Sequence, residues 1–359
     1  MTKIRARDLG IPFEGPTGKY NAITDVSGVT VGYATVIEGT SARTGVTVIH
    51  PRGKDNHTPV YSGMHAFNGN GEMTGAAWIE EGGFLEGPIG ITSSHSVGIV
   101  HDAIIAWQVK NDAIYQKWSL PVVAETADGW LNDMNGFHIK EHHVITALDS
   151  AQSGTIEEGN VGGGTGMLCF EFKGGTGTSS RKLPNQLGGW TVGVLAQCNF
   201  GRRYQLTIAG APVGQHLLNG APFTNGENPF KQDDGSLIVI IATDAPLLPH
   251  QLKRLAKRAT IGMARTGSIG GNGSGDIFLA FSTANSNAIH ADELGLSNIQ
   301  ALSNDHIDPI LAATAYATEE SIINSMIAAE DMSGNNGVKI DALPHNQLQE
   351  VLRQYNRIK

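Results

Sequence analysis

Apolar and polar positions alternate through Val29–Ile37 and again through Gly45–Ile49, with β-branched residues at most apolar places and Gly and Asp at the turns, so the chain opens as a β layer. The period then changes. Val97, Val100, Ile104 and Trp107 recur at helical spacing and predict an amphipathic helix to about Val109, leaving His101 and Asp102 at its surface. Leu120–Gly129 reads as a strand and turn, Ile139–Ala151 as a helix with Val144, Ala147 and Leu148 inward, and Trp190–Gln197 as a strand. Leu237–Ala242 is almost wholly apolar, the pattern of a central strand buried on both faces. Pro249 marks a helix start, after which Leu252, Leu255, Ala256 and Ala259 form an inner face and Lys and Arg an outer one. Ile277, Leu279 and Phe281 alternate with Phe278, Ala280 and Ser282 as a strand, and Asp308-Pro309 opens a helix from Ile310 to about Glu330. On that helix Leu311, Ala315, Thr318, Ile322, Ser325 and Ala329 share one face. Leu218–Gly235 has no period and predicts a loop; Asn346–Arg357 predicts a final polar helix.

Composition narrows the classes of function. The 359 residues include 46 glycines, which imply many tight turns and close backbone approaches, and 40% hydrophobic residues, which exclude a disordered chain. A net charge of −9 without a basic run argues against a nucleic-acid surface. Two cysteines, Cys169 and Cys198, give no disulfide framework and fit small buried thiols. The basic residues of Met1–Gly10 precede no apolar run, so no signal peptide is expected; with no apolar stretch of membrane-spanning length either, the expectation is a soluble cytoplasmic protein.

Three stretches carry candidate chemistry. His138, His142 and His143 include an i, i+4 pair, but the glutamate of a zinc-protease helix is missing, and solvated histidines are expected instead of a metal site. Gly159–Arg181 is a glycine-rich run with Lys, Ser and Thr; its Gly162–Lys173 part offers backbone N–H groups to a phosphate, although the Walker signature fails. Gly271-Asn-Gly-Ser-Gly-Asp276 places Ser274 among glycines at the mouth of a strand, where a nucleophile is least crowded; a strand-capping turn would use the same residues. Asn199, at a strand end, fits either a turn or a donor to an oxyanion.

The run Arg265–Asn285 around Ser274 closely resembles the L-aminopeptidase/D-esterase family, which includes the β-peptidyl aminopeptidases, and the resemblance extends over nearly the whole chain. It implies an α+β fold, an αββα sandwich of two β layers between helices, in a self-processed N-terminal-nucleophile-like hydrolase that assembles into homo-oligomers, tetramers or larger. It implies a single catalytic domain, 1–359, cut autocatalytically at Gly273-Ser274 into chains 1–273 and 274–359, with the freed Ser274 as nucleophile. Thr318 and Glu320 match the hydroxyl-x-carboxylate pattern of the family's partners of the nucleophile, although i and i+2 do not face each other on a helix and Glu319 is the alternative carboxylate. Asn199 is the expected oxyanion donor; a family tyrosine that assists it aligns near Phe170, which has no hydroxyl. The expected activity is removal of N-terminal residues from short peptides, amino-acid amides or esters, without cofactor or metal. Two rivals are a self-cleaving acyltransferase of similar architecture and a phosphate-binding protein using Gly162–Lys173.

Overall fold

The computed structural model describes residues 3–223, 234–287 and 295–359. The expected loop from Leu218 therefore lies largely outside the described residues. One sheet has four strands in the order β1-β2-β5-β6 (Thr30–Glu38, Ala42–His50, Ile89–Ser93 and Val122–Thr126), antiparallel except for β5 with β6. The other has six, in the order β4-β3-β12-β11-β10-β9: Phe84–Leu85, Val60–Ala66, Gly275–Ser282, Ser236–Thr243, Thr191–Asn199 and Gly175–Lys182. Its one parallel pair is β11 with β12, whose register sets Ser236 opposite Gly275. Between β6 and β9 lies a small hairpin, β7 (Leu168–Cys169) with β8 (Phe172–Lys173); a second, β13 (Met332–Ser333) with β14 (Lys339–Ile340), follows the last long helix.

The helices complete four layers. A short α1 (Ala76–Gly82) joins β3 to β4, while α2 (Val97–Lys110) and α3 (Glu141–Asp149) cover the four-stranded sheet, burying Val100, Ile104, Trp107, Val144, Ala147 and Leu148 as their spacing predicts. Ile49, Ile89, Ile91 and Ala124 meet Leu195, Ile238, Ile240, Leu279 and Phe281 in the core between the sheets. On the far side of the six-stranded sheet lie α5 (Pro249–Arg265) and α6 (Asp308–Ile327), with short α4 (Val213–His216) and C-terminal α7 (His345–Gln354) beside them. The αββα sandwich expected from the resemblance is the fold. No helix among the described residues is long and apolar enough to cross a membrane.

One helix departs from its sequence pattern. The spacing predicts a single inward stripe on α6 running to Glu330, yet the helix ends at Ile327 and is buried almost all round, Glu319 and Glu320 included. The cause is double cover: β9 and β10 lie along one side, α5 along another, and Ala6 of the N-terminal segment donates its backbone N–H to Asn324 Oδ1. Polar residues on the hidden faces are neutralised by partners far away in sequence, which periodicity does not see.

Candidate active site

The strand β12 begins at Gly275, and the turn before it holds Ser274 at the end of the six-stranded sheet where Asn199, Ser236 and Gly275 lie in register. Ser274 is 2% exposed; its Oγ donates to Asp276 Oδ1 at 2.7 Å, and its N–H donates to Gly271 O at 3.0 Å. Only backbone without side chains fits here: a Cβ on Gly275 would stand 2.5 Å from Asn70 O. The loop that follows β3 lies against this turn, and Asn70 Nδ2 donates to Gly273 O at 2.7 Å.

Gly273 opens on a cleft of about 720 Å³ whose lining includes Asn70, Glu72, Glu125, Trp130, Asn199 and Asp234. Glu125, buried at the end of β6, accepts from Glu72 N–H at 2.9 Å and from Ser94 Oγ. Among the described residues the lining carries three carboxylates, Glu72, Glu125 and Asp234, and neither Lys nor Arg, which gives it negative potential. Trp130, its ring tilted against Phe223 with centroids 4.0 Å apart, gives the same cleft an apolar wall. Asn199 is clamped by two bonds, its Oδ1 accepting from Leu168 N–H at 3.0 Å and its Nδ2 donating to Ala127 O at 2.9 Å; a side-chain amide carries two N–H donors, so one remains beyond the Ala127 bond.

The sequence profile of Peptidase family S58 matches residues 21–340. The chain belongs to that family. It is 51% identical over 372 residues to a β-peptidyl aminopeptidase, BapA, of Sphingosinicella microcystinivorans, covering 99% of this chain and 93% of that one. Among solved structures, the L-aminopeptidase D-Ala-esterase/amidase of Ochrobactrum anthropi, described as a prototype serine aminopeptidase and a variant of the Ntn hydrolase fold, superposes with TM-score 0.91 at 48% identity over 99% of both chains. A Burkholderia sp. β-aminopeptidase gives 0.89 at 46% identity, covering 98% of this chain and 99% of that one. This S58 chain is thus a hydrolase acting on peptide bonds, on an Ntn-hydrolase-type sandwich.

The S58 fold brings Asn199 and the Gly273-Ser274 bond to one end of the sheet, but it does not bring Thr318 or Glu320 there. Thr318 donates to Thr314 O at 2.8 Å and packs its Cβ against Gly262 of α5. Glu320 receives Arg7 on both oxygens at 2.8 Å, Asn21 at 2.6 Å and Arg181 at 2.8 Å. Arg181 lies in register with Val192, which pairs with Thr243, which pairs with Ser282 at the opposite end of β12, roughly 23 Å of strand from Gly275. Burial works against the Glu320 charge, but the Arg7 hydrogen bond and the charges of Arg181 and Arg7 overcome it and hold the carboxyl below its ordinary range. Glu319 is bound by Arg265 at 2.5 Å. The motif on α6 is framework.

Two other expectations are resolved by backbone bonds. Gly162 N–H donates to Thr35 Oγ1, Gly163 N–H to Thr47 Oγ1 and Gly164 N–H to Val161 O, so these amides are occupied by protein and not presented to a phosphate. Phe170 and Glu171, both at positive φ, form the turn of the β7–β8 hairpin, with the Phe170 ring buried against Phe200. A position packed in this way does not reach the cleft. Cys169 and Cys198 are buried and form no disulfide, as expected. No set of three His, Cys, Asp or Glu side chains able to hold a metal occurs among the described residues.

Sequence reasoning missed Glu125, Asn68, Asn70 and Asp276. Asp276 stands inside the motif, where the sequence reads only as part of a turn; Asn70 is carried to that turn by the pairing of β3 with β12, and Glu125 reaches the same cleft from β6 of the other sheet, so neither carries a local signal.

Proposed function

We propose that this chain is a serine aminopeptidase activated by its own cleavage at Gly273-Ser274, releasing N-terminal residues from short peptides, amino-acid amides or esters. The observation that carries this reading is the arrangement of the uncut bond: Gly273 lines an acidic cleft while Ser274, next to it, stays buried. In the intact chain substrate cannot reach the nucleophile, so cutting that bond is what creates an enzyme.

Once cut, Ser274 supplies both nucleophile and base, because an α-amine titrates near pH 8 whereas a hydroxyl does not. Glu125, oriented by Glu72 N–H and Ser94, holds the substrate's terminal ammonium, with Glu72 and Asp234 adding negative potential. Ser274 Oγ attacks the substrate carbonyl, the developing oxyanion takes the second Nδ2–H of Asn199, and the amine leaves with the proton carried by the α-amine. Water then releases the acyl group by the same route. The chain acts as one catalytic unit, 1–359, in a homo-oligomer of tetramer size or larger, which sedimentation against the 38.0 kDa chain mass tests.

The experiment compares free and N-acetylated peptides on wild type and Glu125→Gln. Acetylated peptides should be refused, and the variant should lose roughly ten- to a hundredfold in kcat/KM on free-amine substrates, the worth of one charge-assisted hydrogen bond. Equal turnover of both substrates, or an unaffected variant, would remove ammonium recognition from the account.

A further inference from the structure

Lys173 of β8 is wholly buried, and among the described residues no carboxylate pairs with its Nζ. The Nζ donates instead to three main-chain carbonyls, Gly174 O at 2.8 Å, Met167 O at 2.9 Å and Gly164 O at 3.4 Å. Burying an amine costs free energy that an apolar side chain does not incur, so filling space does not account for a lysine here. Burial pulls its pKa down from the ordinary lysine value to about 7, with Lys3 acting the same way and Cys169 against it. The hold does not depend on the proton: a neutral amine keeps two N–H donors, which matches the two short bonds.

Those bonds hold the exit of a permissive stretch. Gly162-Gly-Gly-Thr-Gly166 has four glycines in five residues, and glycine leaves the backbone direction open unless a partner fixes it. Lys173 spans the end of that stretch, from Gly164 O to Met167 O, and Gly174 N–H also donates to Met167 O at 2.9 Å. The Met167 carbonyl belongs to the same peptide group as the Leu168 N–H, which donates to Asn199 Oδ1 at 3.0 Å. On its other side Asn199 Nδ2 donates to Ala127 O at 2.9 Å. A carboxamide is planar, so once its oxygen and one N–H are fixed, the direction of the second N–H is fixed too. Asn199 lines the same cleft as Gly273, and the line of contacts that starts at Lys173 therefore ends at the site.

We propose that Lys173 is a positioning residue for peptide turnover: by holding the Met167-Leu168 peptide group it aims the second N–H of Asn199 at the oxyanion. This rests on the reading of Asn199 as the oxyanion donor. Wholly buried, Lys173 meets no substrate and transfers no proton. A donor already in place stabilises the transition state without reorganisation, whereas one that must first be turned into place gives up part of that advantage. Loss of Lys173 should therefore fall on kcat and leave KM nearly unchanged.

The test measures kcat and KM on a free-amine peptide for wild type, Lys173→Met, Lys173→Gln, Asn199→Ala and the two double variants, per cut chain counted by intact mass, with thermal unfolding in parallel. Lys173→Met should lower kcat about tenfold, a part of the roughly hundredfold that loss of an oxyanion donor itself costs. Lys173→Gln is one atom shorter but still offers N–H groups to the carbonyls, so it should keep more kcat than Lys173→Met, and it carries the test if the Met variant does not fold. In the Asn199→Ala background neither substitution should lower kcat further, because the group they act through is gone. A brace of the fold alone predicts a lowered unfolding midpoint with wild-type kcat per folded chain. Wild-type kcat in both Lys173 variants, or losses that multiply with that of Asn199→Ala, overturns the proposal and leaves Asn199 as the donor. A folded Lys173 variant that stays uncut while Asn199→Ala is cut overturns it too, since Lys173 would then act elsewhere. Wild-type kcat in Asn199→Ala overturns the donor reading itself.

Discussion

Glu320 shows how far a residue's sequence context and its physical situation can diverge. In sequence it resembles a partner of the nucleophile; in the fold it is a fully buried carboxylate held by Arg7, Arg181 and Asn21. Glu320→Gln should therefore cost about 3–5 kcal/mol of stability, because it leaves two arginines unpaired, while the folded fraction keeps its kcat/KM. A large loss of activity at an unchanged unfolding midpoint would return Glu320 to the chemistry. Since its folded pKa lies below the ordinary value, the stabilisation is fully present above about pH 4.3 and is lost as pH falls through the lower folded value. The acid limb of an unfolding-versus-pH curve should accordingly shrink in the Gln variant. Ser274 predicts a different dependence. With an α-amine as base, kcat/KM should fall as pH drops below about 8, and a profile flat through that range would exclude the amine.

Elements, not motifs, decide where the glycines act. Gly162–Gly164 passes between the two sheets, and a Cβ on Gly163 would stand 2.2 Å from Gln197 Oε1 and 2.6 Å from Ile91 O. Gly163→Ala should destabilise by about 1–3 kcal/mol through overpacking against backbone that cannot give way, read as a lowered urea midpoint. A midpoint equal to wild type would mean the sheets are not clamped at this point. The glycine run was conspicuous in sequence, but its purpose was not: one-dimensional pattern cannot separate glycines that cradle a ligand from glycines that let two strands touch. By contrast α2, α3 and α5 were legible because each has one wet face, so Leu252, Leu255, Ala256 and Ala259 announce themselves by spacing. The stripe on α6 misled because both of its sides are covered.

At the scale of the whole molecule, the four layers follow from strand and helix periods plus the resemblance around Ser274, while the site does not follow from either alone. Asn70 comes from the loop after β3, Asn199 from β10 and Ser274 from the turn before β12, all gathered by the pairing of β3, β12, β11 and β10, while Glu125 reaches the same cleft from β6 of the four-stranded sheet. A site built from carboxylates, amides and one hydroxyl should be indifferent to EDTA, and inactivation reversed by zinc would point back to His138, His142 and His143. The proposed activity depends on one bond. Intact mass of the freshly purified protein under denaturing conditions tests it most directly: fragments 1–273 and 274–359 from wild type, and a single inactive chain from Ser274→Ala, are predicted. A single full-length wild-type chain with full peptidase activity would contradict the account.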